Sequence, residues 1–94
     1  LEVELHDFNL PTAVEDALAS VALSAKEKGL SFRYSLNEHV PHWIRTDSTR
    51  FKQILTNIFG NAVKFTEQGG VDAEISAHRE ADHWMLQVRV TDTG

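Results

Sequence analysis

Polar side chains suited to binding a metal ion and phosphate groups recur at helical spacing between residues 50 and 64. On a helix that turns about 100° per residue, all of them lie within about 40° of Asn57. They are Arg50, Gln53, Asn57, Asn61 and Lys64. Asparagine is a poor helix former because its side chain competes for backbone hydrogen bonds. Two asparagines in mid-helix, beside an apolar arc, therefore lower the stability of the helix, and residues that do so are often retained for function.

The chemistry of this polar stripe is specific. A carboxamide oxygen can ligate a hard cation such as Mg²⁺, while the NH₂ group donates to a phosphate oxygen. Lys64, one turn after Asn61, supplies a mobile positive charge to the same phosphates. The competing interpretation is an amphipathic helix whose polar face only meets water, and most polar stripes do no more than that.

The residues around the stripe predict a helix over 48–65. Asp47 can cap its N-terminus, and the sequence Gln68-Gly69-Gly70 is expected to end it. The apolar arc beside the stripe is expected to face the core; it comprises Phe51, Ile54, Leu55, Ile58, Phe59, Ala62 and Phe65.

Upstream, the pattern predicts a strand at residues 1–8, followed by a helix. Asn9 can cap the N-terminus of this helix, Pro11 suits its first turn, and Gly29 is expected to end it. The apolar positions of this helix are Val14, Ala17, Leu18, Val21, Ala22 and Ala25. Residues 30–36 alternate as a half-buried strand, and residues 37–46 read as a loop with a short extended piece at 43–45.

Downstream, residues 71–77 and 84–90 alternate around a polar turn at 80–83 and predict a hairpin. The order strand, helix, strand, helix, hairpin indicates an α+β fold with both helices on one face of a mixed, mostly antiparallel sheet. Asp92 continues the parity of Trp84, Leu86, Val88 and Val90, so a carboxylate is expected on the core side at the strand end. A strand-terminating Asp in a turn is the plainer interpretation.

Composition excludes several classes of function. The chain has 94 residues, no cysteine and a formal net charge of −5. One domain over 1–94 is expected, nucleic acid is an unsuitable partner for an acidic surface, and a thiolate zinc site is excluded. No apolar run is long enough for a membrane span, so no direct membrane contact is expected. His39 and His42 flank Pro41 without a third ligand at suitable spacing, which makes them a poor metal site.

A family resemblance narrows this further. The segment D-S-T-R-F-K-Q-I-L-T-N-I-F-G-N-A-V-K-F-T-E-Q-G from Asp47 to Gly69 closely resembles the N-box of sensor histidine kinases. Phe8-Asn9-Leu10 and Lys28-Gly29-Leu30 look like the usual entry to the ATP-binding catalytic domain of that family. Val90-Thr91-Asp92-Thr93-Gly94 resembles the opening of its first glycine box.

The resemblance implies the two-layer α/β sandwich known as the Bergerat ATP-binding fold, with ATP and Mg²⁺ as ligands. By analogy Asn61 would ligate Mg²⁺, and Asn57 would contact or order the region near the γ-phosphate. Lys64 would pair with phosphate oxygens. Asp92 would accept the adenine amino group, and Gly94 would belong to the glycine box.

The implied function is transfer of the ATP γ-phosphoryl group to a histidine on a dimerisation domain, and then to an aspartate of a response-regulator receiver domain. A degenerate or truncated kinase-like module that only docks on another protein is the alternative. An ATP-hydrolysing relative is disfavoured, because Asn57 stands where those enzymes have a glutamate base, and a carboxamide cannot take up a proton at neutral pH.

The same resemblance suggests that the lid, the second glycine box, the last helix and strand, and the phosphoacceptor histidine lie outside residues 1–94. Weak ATP binding and self-association of this segment are therefore expected. A cytoplasmic setting is expected too, whether or not the parent kinase is anchored in the inner membrane.

Overall fold

Seven elements follow one another in the computed structural model, which describes residues 5–92. They are β1 (His6–Asn9), α1 (Leu10–Lys28), β2 (Ser31–Leu36), β3 (Trp43–Thr46), α2 (Ser48–Phe65), β4 (Gly70–Glu80) and β5 (His83–Asp92). The order agrees with the sequence prediction. The first four residues of the predicted N-terminal strand lie outside the described residues, and so do Thr93 and Gly94.

Helix α1 begins and ends where local chemistry predicts. Asn9 Oδ1 accepts a hydrogen bond from the Thr12 amide at 2.9 Å, which caps the N-terminus. Gly29 ends the helix in the left-handed conformation, with φ of 80°. The inward face is buried as expected except at Ala22, which is exposed. Ala22 lies one step of about 100° beyond Val21, outside the arc that packs on the core.

Helix α2 spans the predicted residues, but the expected glycine stop is wrong. Asp47 Oδ1 accepts from the Arg50 amide at 3.0 Å and caps the N-terminus. The helix ends at Phe65, because Thr66 has extended backbone with φ of −95° and ψ of 123°. The Thr66 hydroxyl lies 2.7 Å from the carbonyl oxygen of Ala62, so a side chain rather than a glycine occupies this end of the helix.

The strands form two sheets. In the three-stranded sheet, β4 lies in the middle and pairs parallel with β2 and antiparallel with β5. The short strands β1 and β3 pair antiparallel as a separate sheet. Both helices pack on one side of the strands, which makes the two-layer α+β architecture that the sequence predicts. The hairpin turn is shorter than predicted: only Ala81 and Asp82 connect β4 to β5.

The core lies between the helices and the three-stranded sheet. Phe59 is fully buried, and its ring packs edge-on against Phe32 with centroids 6.2 Å apart. Burying a side chain of this size stabilises the fold by about 2–3 kcal/mol. From α2 the buried residues are Leu55, Phe59 and Val63, and from β4 they include Val71, Ala73 and Ile75.

Three residues of the predicted apolar arc of α2 are not core residues. Ile54, Ile58 and Phe65 are 57%, 38% and 72% exposed. They lie on the side of α2 next to the polar stripe, whereas α1 and the sheet cover the arc centred on Leu55, Phe59 and Val63. The expectation that they face the core is therefore wrong.

Gly70 is required by the close approach of β2 and β4. A Cβ atom built on Gly70 would lie 1.9 Å from Ser31 Oγ and 2.9 Å from the Ser31 carbonyl oxygen. Only glycine lets the two parallel strands meet at this register, where Ser31 pairs with Gly70.

Candidate functional site

The polar stripe of α2 lies on the outer face of the helix. Asn57, Asn61 and Lys64 are all exposed. Within residues 5–92 the carboxamides of Asn57 and Asn61 form no hydrogen bond with another protein group. Their oxygen and NH₂ groups are therefore open to a ligand, and this donor set suits a hard cation and phosphate oxygens.

Asp92 lies at the end of β5, on the side of the sheet that carries α2. Its Oδ2 atom is 2.8 Å from the hydroxyl of Thr66, the residue that follows α2. Thr66 is only 2% exposed, and it is the one buried polar residue among those described. The inward parity predicted for Asp92 is therefore correct, and the carboxylate lies at the C-terminal end of α2.

The candidate residues thus follow α2 in one direction. Lys64 is two residues from Thr66, and Asn61 lies about one turn before Lys64. From Thr66 to Asn57 the helix rises about 13 Å at 1.5 Å per residue. This spacing suits an elongated ligand whose ends differ in chemistry, with one end at the Asp92 carboxylate and the other at the carboxamides.

The four residues do not line a single enclosed pocket. Asn57 lines a shallow pocket of about 470 Å³ with its neighbours on the side of α2 that faces α1; these are Thr49, Lys52, Gln53 and Thr56. A second pocket, of about 500 Å³, lies on the outer face of the sheet around Arg33, Asp72 and Arg89 and is remote from the stripe. The site is therefore an open surface along α2. Gly94, the fifth candidate, lies outside the described residues.

Lys28 is a site-supporting residue that sequence reasoning missed. Its Nζ atom donates to the carbonyl oxygens of Val63 at 2.9 Å and of Lys64 at 2.7 Å. A helix C-terminus carries partial negative charge, so this ammonium group stabilises the last turn of α2. The only sequence signal was the position of Lys28 in the last turn of α1, and it gave no hint of the partner.

Phe65 is the second residue that was missed. Its ring is largely exposed, and Lys64 Nζ lies 5.4 Å from the ring centroid. An aromatic face left open between a lysine and the Thr66–Asp92 contact offers a stacking surface for a planar ligand. Hydrophobicity alone had assigned Phe65 to the core.

Within the part of the chain that the structure describes, no three side chains among His, Asp and Glu are grouped closely enough to hold a metal ion. His39 instead lies 3.7 Å from the Glu38 carboxylate, and both are well exposed. Across residues 5–92, neither helix is long and apolar enough to cross a membrane.

Known proteins that resemble the chain are sensor kinases. No model of a protein family matches it. The aerobic respiration control sensor protein ArcB homolog of Haemophilus influenzae is 34% identical over 94 residues, which are 100% of this chain and 28% of that protein. The signal transduction histidine-protein kinase BarA of Escherichia coli is 32% identical over 95 residues, covering 100% of this chain and 10% of that protein. The chain spans less than a third of these relatives.

Solved structures agree with the sequence relatives. Full-length ShkA, crystallised in complex with AMPPNP, superposes with a TM-score of 0.78 and 33% identity; the match covers 100% of this chain and 19% of ShkA. The catalytic domain of the histidine kinase ThkA superposes with a TM-score of 0.68 at 20% identity, covering 95% of this chain and 59% of that domain. The latter likeness shows the fold alone.

The fold is an α+β, two-layer architecture that matches histidine kinase catalytic domains. In sequence the chain is similar to part of two sensor kinases, the ArcB homolog and BarA.

Proposed function

We propose that this chain is the ATP- and Mg²⁺-binding part of a two-component sensor histidine kinase. The observation that carries the proposal is the arrangement along α2: open carboxamides and Lys64 on the helix, and Asp92 held at its end by Thr66. The parent kinase then transfers the γ-phosphoryl group of ATP to a histidine on an adjacent dimerisation domain, and from there to a response-regulator aspartate.

In this proposal the adenine base lies at the C-terminal end of α2. The Asp92 carboxylate accepts a hydrogen bond from the adenine amino group, since an ionised carboxylate can only accept. The exposed ring of Phe65 packs against the base. The apolar surface of that ring is otherwise open to water, so covering it with a planar base is favourable.

The phosphates lie farther along the same helix, on its polar stripe. Asn61 supplies a carboxamide oxygen to Mg²⁺, Asn57 orders the region near the γ-phosphate, and Lys64 pairs with phosphate oxygens. Mg²⁺, when bound, offsets phosphate charge at the reacting centre. These side chains position the phosphates and offset their negative charge, and these two effects account for most of the catalysis at a phosphoryl-transfer site.

The polar stripe contains no carboxylate, so it has no group that could act as a general base for water. This supports transfer to another protein over hydrolysis. Two comparisons also support the proposal: ShkA was crystallised with AMPPNP, and ThkA was crystallised in complex with the response regulator protein TrrA. The proposal puts the chain on the cytoplasmic side, where ATP and receiver domains are found.

The test is phosphohistidine formation by the complete kinase in which we propose this chain lies. We expect Asn61→Ala to abolish it, because loss of a metal ligand is seldom compensated. Gln87→Ala is the matched control: it removes an exposed carboxamide from the opposite face of the sheet and should leave the rate unchanged. Undiminished phosphohistidine formation by the Asn61→Ala variant would contradict the proposed role of Asn61 as a metal ligand. A wild-type kinase that folds but binds no ATP would favour the docking module instead.

A further inference from the structure

The buried hydroxyl of Thr66 lies between two acceptors. Its Oγ1 atom is 2.7 Å from the Ala62 carbonyl oxygen and 2.8 Å from Asp92 Oδ2. A hydroxyl has one proton, and neither a carbonyl nor an ionised carboxylate can donate in return. The proton is therefore shared between the end of α2 and the end of β5.

We propose that Thr66 is a positioning residue for nucleotide-base recognition, because its hydroxyl orients the Asp92 carboxylate toward the amino group of a 6-aminopurine. This inference rests on the proposed nucleotide-binding function and names a residue that determines its specificity. Thr66 does not contact the base itself; it acts through Asp92.

Three features suit Thr66 to this task. Its β-branched side chain has few rotamers, and the contact with the Ala62 carbonyl, one turn earlier, keeps the hydroxyl at the helix end. The residue is buried, so water competes poorly for the hydroxyl. Lys28 also holds the carbonyls of Val63 and Lys64, which fixes the same turn of α2 from the other side.

A carboxylate that is held in one orientation discriminates between ligands better than one that rotates freely. A 6-amino group then meets a carboxylate oxygen that is already oriented toward it, while a purine without that group cannot form this hydrogen bond. Removing the Thr66 hydroxyl should weaken this discrimination and leave the phosphate contacts of Asn61 and Lys64 intact.

The experiment compares two nucleotides in the complete kinase by calorimetry: ATP, and purine riboside triphosphate, which lacks the 6-amino group. Wild type is expected to prefer ATP. Thr66→Val should reduce this preference about tenfold, since hydrogen bonds to charged groups are among the stronger ones, and should leave affinity for the analogue within about twofold. Thr66→Ser keeps the hydroxyl and should restore the preference.

Thr56→Val is the matched control. Thr56 lies on the same helix, and its hydroxyl also contacts the carbonyl one turn earlier, that of Lys52 at 2.8 Å, but it meets no carboxylate. The Thr56→Val variant should leave the preference for ATP over the analogue unchanged. Valine at position 66 puts a methyl group against a carboxylate and could prevent folding. Thr66→Ala removes the hydroxyl without that clash and is scored in the same way.

The outcomes separate this inference from the function on which it rests. A wild-type preference for ATP that survives in Thr66→Val and Thr66→Ala overturns the role of Thr66 alone. An equal loss of affinity for both nucleotides also overturns it, because that is what a purely structural role produces. If the wild-type kinase binds ATP and the analogue equally well, base recognition by Asp92 is wrong, and the proposed role of Thr66 is wrong as well.

Discussion

The ammonium group of Lys28 lies 2.7 Å from the main-chain oxygen of Lys64, so the last turn of α1 holds the last turn of α2. The two residues are 36 positions apart in the chain. Because Lys64 and Phe65 belong to the candidate site, the far end of α1 stabilises the part of α2 where we propose that the nucleotide base binds.

Lys28→Met should lower the free energy of unfolding by about 1 kcal/mol, because it removes hydrogen bonds and a favourable charge from a helix C-terminus while keeping the aliphatic stem. Urea unfolding measures the change, and amide hydrogen exchange should rise in the last turn of α2. Lys26→Met, in the same turn of α1, is the control, since Lys26 contacts no acceptor in residues 5–92. Equal losses for the two variants would contradict a specific role of Lys28.

Gly60→Ala should stabilise the chain by about 0.5–1 kcal/mol. Gly60 lies inside α2, where alanine is the better helix former, and nothing lies within 4 Å of a Cβ atom built there. The midpoint of urea unfolding should rise without a change in slope. A lower midpoint would mean that the position has a close neighbour that the geometry does not show.

The same substitution at Gly70 should do the opposite. An alanine Cβ would meet the Ser31 backbone and side chain, so β2 and β4 must move apart where they pair. We expect a loss of about 1–3 kcal/mol, as for overpacking elsewhere in proteins. Ser31→Gly combined with Gly70→Ala should recover part of the loss, since it removes the clashing side chain but not the backbone contact. If Gly70→Ala is as stable as wild type, the close approach of the strands is not what makes glycine necessary.

Asn9→Ala should cost about 1 kcal/mol, because the Thr12 amide loses the side-chain acceptor that caps α1. Asn9→Asp keeps an acceptor at the same position and should retain most of the stability. Thermal unfolding of the two variants separates loss of the cap from any general effect of changing a residue of β1. Similar losses in both would argue against capping as the cause.

As an isolated 94-residue polypeptide, the chain should bind ATP weakly and self-associate at high concentration. The polar stripe is open to water, where each charged contact is worth little. Ile54 and Ile58 add exposed apolar surface, and β5 has only β4 as a neighbour within the described residues. Calorimetry and sedimentation test the two expectations separately; sub-micromolar affinity contradicts the first and a persistent monomer the second.

Ile54→Lys should shift that association toward monomer, because it puts a charge in the middle of the exposed apolar surface of α2. Leu23→Lys is the comparison: Leu23 is similarly exposed, at 58% against 57% for Ile54, but lies on α1. Sedimentation of both variants at matched concentration shows which helix is involved. If only Leu23→Lys reduces association, the surface on α2 is not the contact.

Local chemistry in the sequence determined where most elements begin and end. Asn9, Gly29 and Asp47 act on backbone groups within a few residues of themselves, so their effects can be deduced without a fold. The end of α2 at Phe65 was predicted correctly, but the residues expected to cause it were not. A glycine pair is a strong local stop, but here the backbone turns earlier, at Thr66, whose side chain also contacts Asp92 from a distant strand.

Helical spacing alone determined that Asn57, Asn61 and Lys64 share one face, because the period of the helix is constant. Only the tertiary structure decided that Ile54, Ile58 and Phe65 stay exposed, since burial depends on how much of α2 the neighbouring layer covers. The same holds for the contacts of Lys28 with Val63 and of Thr66 with Asp92. Such pairs are 35 and 26 residues apart, and chain packing, which no short sequence pattern encodes, brings them together.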